Sequence, residues 1–186
     1  MTEFAILEPD QTDEKARQLL EEAGRKFGFV PNVLKVMAAA PALLEGYLTL
    51  SRLFEETGFT PAERQLILLA LSRANRCHYC VAAHSTVGRM AGLSEEAIAA
   101  TREGREIAGD PRLEALRRFA TALVERQGFV EDEELAAFLA AGFDKRQVLE
   151  IVLAAGLKLL SNYTNHLAHT PLDEPLKPAA WTPPEG

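Results

Sequence analysis

Residues 60–85 read TPAERQLILLALSRANRCHYCVAAHS. The part from Thr60 to Asn75 is apolar over most of a helical circumference, which marks a helix buried on several sides at the centre of a bundle. Its start is written in the sequence: Thr60-Pro61-Ala62-Glu63 reads as a capping box with proline at the first helical position. Beyond it stand both cysteines of the chain and one of its four histidines. Cys77, Cys80 and His84 fall at i, i+3 and i+7, so on one helix they share one stripe. Asn75 is placed to cap that helix, with Cys77 in its first turn.

A second stretch, DKRQVLEIVLAAGLKLLSN from residue 144, has the same all-round apolar character. At an offset of 85 residues, Leu66 falls on Ile151, Ile67 on Val152, Leu68 on Leu153 and Ala70 on Ala155. Cys77 then falls on Asn162, Cys80 on Asn165, His84 on His169 and Gln65 on Glu150. The match predicts two pseudo-repeated helical hairpins whose central helices pack on each other. Thiols are kept only in the first copy, and Asn162 and Asn165 are expected to hold loops or an interface by hydrogen bonds.

The remaining segments share the helical period. DEKARQLLEEAGRKFG, PALLEGYLTLSRLFEETG, RLEALRRFATALVERQG and EELAAFLAAG place apolar residues three and four apart and stop at glycine. Pro31 and the APA of residues 40–42 punctuate the early part. No segment alternates as a half-buried strand does, so the fold class is all-α. Residues 1–170 read as one helical domain and 171–186 as a proline-rich C-terminal arm, with Trp181 its anchor on a neighbouring surface.

Composition narrows the function. With 186 residues, 47% of them hydrophobic, the chain can bury one sizeable core. A net charge of -7 and no basic cluster argue against a nucleic-acid partner. No apolar run approaches the ~18 residues of a membrane span, and the N-terminus lacks a secretory pattern. A cytoplasmic protein is the expectation. There, a lone Cys-x-x-Cys reads as redox or metal chemistry rather than as a structural disulfide.

Each thiol has a candidate activator. The helix start favours a thiolate at Cys77, whereas His84, one turn beyond Cys80, can accept that thiol's proton. Whichever sulfur attacks, the other lies within reach to resolve a sulfenic acid as a disulfide. The alternatives are two buried apolar thiols, or a metal site. The latter needs further ligands from His78 and His84, or from His166 and His169 folding across. His166 and His169 read first as histidines hydrogen-bonded at a helical interface.

At these residues the sequence resembles a known family. PAERQLILLALSRANRCHYCVAAHS looks like the core of the AhpD-like alkyl hydroperoxidases of the carboxymuconolactone decarboxylase superfamily. KFGFVPNVLKVMAAAPALLEGYL and NYTNHLAHTPLD are similar to its peroxidase-related branch. The resemblance runs from about Phe27 to Asp173 and implies an AhpD-like helical bundle, assembled as a homo-oligomer, a trimer or a hexamer. It implies thiol peroxidase activity; the sequence does not identify the thiol reductant, and no cofactor or metal is expected. Cys80 would be the peroxide-attacking thiol, His84 its proton acceptor and Cys77 the disulfide partner. Decarboxylase members generally lack the cysteine pair, so a lactone-processing enzyme or a redox-sensing binding protein is the alternative reading, and a metal-binding module comes third.

The sequence departs from the family at two positions. The family's relay glutamate corresponds here to Gln65, and the histidine inside its motif corresponds to Tyr79, with His78 one position away. Gln65 can orient His84 but carries no charge. Glu63 is the nearest substitute carboxylate, yet residues two apart on a helix point about 200° from each other, and its capping role competes. Glu150 is a more distant candidate that only the fold could bring near.

Overall fold

The computed structural model describes residues 4–184; the first three residues and the last two of the proline-rich arm lie outside the described ones. The chain forms α1 (Glu14–Phe27), α2 (Asn32–Met37), α3 (Pro41–Glu55), α4 (Pro61–Ala74) and α5 (His78–Met90). It continues through α6 (Glu95–Glu103), α7 (Pro111–Glu125), α8 (Asp132–Ala140) and α9 (Lys145–Ala168), with 3-10 turns at Pro9–Gln11 and Glu174–Ala179. Among the described residues there is no strand.

The helix ends follow from local chemistry. Asp13, Ser94 and Asp110 each accept a backbone N–H of the first turn, and Asp144 pairs reciprocally with Gln147. Each such cap contributes about 1 kcal/mol by satisfying a donor that has no partner inside the helix. α1 closes at Gly28, whose φ of 80° is left-handed backbone that a side chain would strain.

α4 is the axis of the bundle. Its residues from Leu66 to Ser72 are all buried, because α5, α6, α7 and α9 surround it. On one side, stacked rings join α7, α8 and the turn before α9: Phe119 to Phe138 and Phe138 to Phe143, each pair with centroids 4.5 Å apart. A second apolar cluster, built from α1, α2, α3 and the start of α5, encloses Cys77, Tyr79 and Cys80.

The hairpins α3–α4 and α8–α9 repeat one layout, an outer helix and a short turn into a long central helix, and α4 packs on α9. The likeness ends after Ala74. There the first copy breaks, whereas α9 runs on through Asn162 and Asn165 to Ala168. α9 also differs from α4 in burial. Leu149 and Leu167, each 69% exposed, stand with exposed Val152, Leu159 and Tyr163 along one face, whereas α4 is buried all round from Leu66 to Ser72.

The C-terminal arm folds back over α5 and α6. Asp173 accepts the Tyr79 hydroxyl and, at 3.1 Å, the backbone N–H of Asn32 at the start of α2. Arg102 donates to the carbonyls of Ala179 and Ala180, while Trp181 Nε1 donates to the carbonyl of Arg102 at 3.2 Å.

Candidate functional site

The break between α4 and α5 sets the geometry of the thiols. Asn75 is the C-cap of α4, not the N-cap of α5. Arg76 adopts a φ of 57°, and the Cys77 N–H reaches back to the Ser72 carbonyl at 2.9 Å, a left-handed closure of the kind usually given to glycine. The chain can therefore restart at once, with Cys77 at the N-cap of α5 and Cys80 in its first turn. Asn75 was read as a cap because Asn serves both helix ends; here its amide donates to Asn162 Oδ1 at 2.9 Å and ties the break to α9.

Across from α5, α9 presents a polar stripe. Lys158, Ser161 and Asn165 recur at i, i+3 and i+7, the same spacing as Cys77, Cys80 and His84. All three are buried. Asn165 Nδ2 lies 3.3 Å from Cys80 Sγ and 3.8 Å from Cys77 Sγ, so one amide donates toward both sulfurs. Ser161 Oγ is 3.8 Å from Cys80 Sγ. Lys158 Nζ is 2.9 Å from His84 Nε2.

His84 thus faces Lys158 and Gln65, not a thiol. Its Nδ1 is 3.0 Å from Gln65 Oε1. A carboxamide oxygen only accepts, so Nδ1 carries the proton and Nε2 is the acceptor for the Lys158 ammonium.

Electrostatics separates the sulfurs. For Cys80, burial acts against the thiolate but is outweighed by the Cys77 hydrogen bond and by the charge of Lys158, and its pKa falls well below the ordinary thiol value. Cys77 moves the other way, held protonated by its bond to Cys80 and by burial. Burial, and then the Lys158 charge, press His84 well down, so the imidazole stays neutral. For Lys158, burial favours the neutral amine, but Cys80, Tyr47 and Cys77 outweigh it and raise its pKa. Both cysteines are free thiols, 0% and 3% exposed for Cys77 and Cys80.

The other sequence candidates lie elsewhere. Glu63 does not reach His84: its carboxylate closes the capping box with Thr60 and meets Arg112 at 3.0 Å. Glu150 is also excluded as the relay, since it accepts the Gly58 N–H at 3.0 Å and pairs with Arg146. Asn162 and Asn165 were expected to hold loops or the subunit interface; Asn162 holds the break after α4, whereas Asn165 touches the sulfurs. Tyr79 points to Asp173, away from the dithiol. His166 and His169 are exposed at the end of α9, where His166 stacks on Tyr163 with centroids 6.3 Å apart; neither sits in a buried helical interface.

Lys158, Ser161 and Asn165 were missed as site residues. A signal existed for the first, the one charge in the apolar run of residues 151–160. Among the described residues no group of three or more His, Cys, Asp or Glu side chains is placed to hold a metal, and the Lys158 ammonium occupies His84 Nε2. A cavity of about 480 Å³ opens between α7 and α8 and touches none of these residues. Among the described residues no helix is long and apolar enough to cross a membrane.

A helical bundle that buries a reduced Cys-x-x-Cys pair at a helix start, against a polar stripe of a second central helix, defines a class of thiol-bearing all-α proteins. Residues 38–122 match the carboxymuconolactone decarboxylase family. The chain's fold is shared with an uncharacterized peroxidase-related protein from Ralstonia eutropha JMP134 that has an alkylhydroperoxidase AhpD core: TM-score 0.83, 24% identity, 93% of each chain covered. A peroxidase-related protein from Silicibacter sp. TM1040 gives 0.77 at 20% identity, covering 93% of this chain and 91% of that one. The debrominase Bmp8, in a cysteine-to-alanine form with 2,3,4-tribromopyrrole, gives 0.79 at 14% identity with 96% of each chain covered. No curated protein matches the sequence.

Proposed function

We propose that this chain is a thiol-dependent peroxidase that reduces hydroperoxides through a Cys77/Cys80 dithiol–disulfide cycle. The observation that carries the reading is the division of labour between the sulfurs: Cys80 is held toward the thiolate, the nucleophilic form, while Cys77 remains a thiol beside it. Cys80 attacks the peroxide and becomes a sulfenic acid; Cys77 then displaces water and closes the disulfide. An external dithiol restores the pair. His84, oriented by Gln65, serves the proton traffic on the partly exposed side of the site. Buried reduced thiols suit a compartment that keeps thiols reduced, the cytoplasm.

The exposed apolar face of α9 supports assembly as a homo-oligomer, because burying Leu149, Val152, Leu159, Tyr163 and Leu167 against another copy removes a continuous hydrophobic stripe from water. A carbon–halogen bond is a second electrophile for the same dithiol, favoured by the fold shared with Bmp8.

The test presents the reduced protein with hydrogen peroxide, an alkyl hydroperoxide and a bromopyrrole, following thiol loss and product together. Peroxide consumption with loss of both thiols of each chain, and no cross-linked dimers, is expected. With Cys77→Ser, Cys80 overoxidises; with Cys80→Ser, peroxide is spared. Loss of a single thiol, or intermolecular disulfides as the main product, overturns the mechanism.

A further inference from the structure

Lys158 is 1% exposed in the middle of α9. An ammonium so buried is strongly unfavourable unless an anion accompanies it. Among the described residues, the charged or titratable groups that face it are Tyr47 from α3, Cys77 and Cys80 from the start of α5 and His84 from its middle; Gln65 of α4 stands behind His84. None is a carboxylate. Lys35 of α2, which also packs on α9, is paired with Glu8 at 2.7 Å. Tyr47 is kept neutral by burial, Cys77 is kept as a thiol, and His84 already offers its lone pair to Lys158 as a neutral acceptor. Cys80 is the one group left to be the anion, and the Asn165 amide at 3.3 Å also donates toward it.

We propose that Lys158 is the resident counter-cation of the Cys80 thiolate and the acid that protonates the oxygen leaving the peroxide. The inference rests on the dithiol reading above and assigns to a cation on α9 the electrostatic task that a carboxylate on α4 would otherwise share. The Cys80 thiolate attacks the terminal oxygen of a hydroperoxide. The S–O bond forms, the O–O bond breaks, and the alkoxide takes a proton from the ammonium, leaving an alcohol, a Cys80 sulfenic acid and a neutral Lys158 amine. Cys77 sulfur then attacks Cys80 sulfur. The S–S bond forms, the S–O bond breaks, and the departing hydroxide combines with the Cys77 proton as water. Lys158 recovers its proton from solvent on the His84 side. An external dithiol, oxidised in turn, reduces the disulfide and restores the ion pair.

The experiment titrates the ultraviolet thiolate absorbance of the reduced protein against pH in the wild type, Lys158→Met and Lys158→Arg, with melting temperature recorded alongside. The wild type should hold about one thiolate per chain at neutral pH, and Lys158→Met should move the midpoint up by at least ~2 pH units without lowering the melting temperature. Lys158→Arg should keep most of the thiolate, which a merely space-filling role would not require. An unchanged midpoint in a folded Lys158→Met overturns the inference. Should that variant not fold, the wild type decides alone: a midpoint at or above the ordinary thiol value of about 8.5 overturns it. A depressed midpoint without peroxide consumption supports the role of Lys158 and overturns the peroxidase reading. Peroxide consumption with an ordinary midpoint does the reverse.

Discussion

Gln65 Oε1 lies 3.0 Å from Nδ1 of His84, and that contact fixes the tautomer of the ring. The imidazole is neutral, pressed down by burial and by Lys158. Replacing the amide with a carboxylate keeps the contact and adds an opposing charge, which favours the imidazolium. Gln65→Glu should therefore raise the His84 titration midpoint, read from its ring proton resonances, by about 1 unit or more, while Gln65→Leu should leave it low. Equal midpoints in the two variants would show that Gln65 does not control the ring.

Asn165 is the donor common to both sulfurs. A hydrogen bond to a charged acceptor is worth about 1.5–3 kcal/mol, so Asn165→Leu should lower the thiolate fraction and the peroxide rate by at least ~10-fold. Its effect on stability should be small, since the Asn165 Oδ1 atom is itself buried without a partner. Asn165→Asp, which sets like charge beside the thiolate, should lower the rate further. Rates unchanged in both variants would remove Asn165 from the site.

Glu63 should matter for stability and not for rate. It is 6% exposed, closes the α4 capping box and pairs with Arg112, which also lies 3.8 Å from the Phe143 ring centroid. Loss of the cap and the pair costs about 1–2 kcal/mol, so Glu63→Ala should lower the melting temperature by roughly 2–8 °C. Peroxide reduction per folded molecule should stay within about twofold, well under the ~10-fold that a lost 1.4 kcal/mol contact would give. Abolished turnover at unchanged stability would make Glu63 the relay acid after all.

Acid should weaken the reduced protein. The folded pKa values of Cys80 and His84 lie below their unfolded values of about 8.5 and 6.5, so in those windows the unfolded chain binds more protons and stability rises with pH. Cys77 is raised, and its contribution is present below about 8.5 and lost as pH climbs further. The melting temperature should fall on acidification from about pH 8 to 5, and Cys80→Ser should flatten the upper part of that fall. A flat wild-type profile would contradict the assigned charges.

The exposed face of α9 gives a separate test of assembly. Leu159→Glu with Leu167→Glu places charge in the apolar stripe without entering the polar stripe that holds Lys158, Ser161 and Asn165. Sedimentation should show a smaller species than the wild type, with helical circular dichroism retained. A wild type that is already monomeric, or a double variant that assembles as before, would exclude this face as the interface.

What the sequence determined by itself was whatever a few neighbouring residues control. The all-α class, the capping box at Thr60–Glu63, the glycine stop of α1 and the shared stripe of Cys80 and His84 depend on side chains within one or two turns, where periodicity and capping chemistry act. The break after Ala74 was less legible, because a left-handed Arg76 carries no residue-type signal of the kind glycine supplies. Tertiary structure alone decided what each side chain faces. The register of α5 against α9 puts Lys158 on His84 and Asn165 on both sulfurs, while the packing of α7 on α4 draws Glu63 to Arg112. Those partners lie tens of residues apart in the chain, and no local rule ties them together. They meet because two helices with matching i, i+3, i+7 stripes can bury their polar groups only against each other.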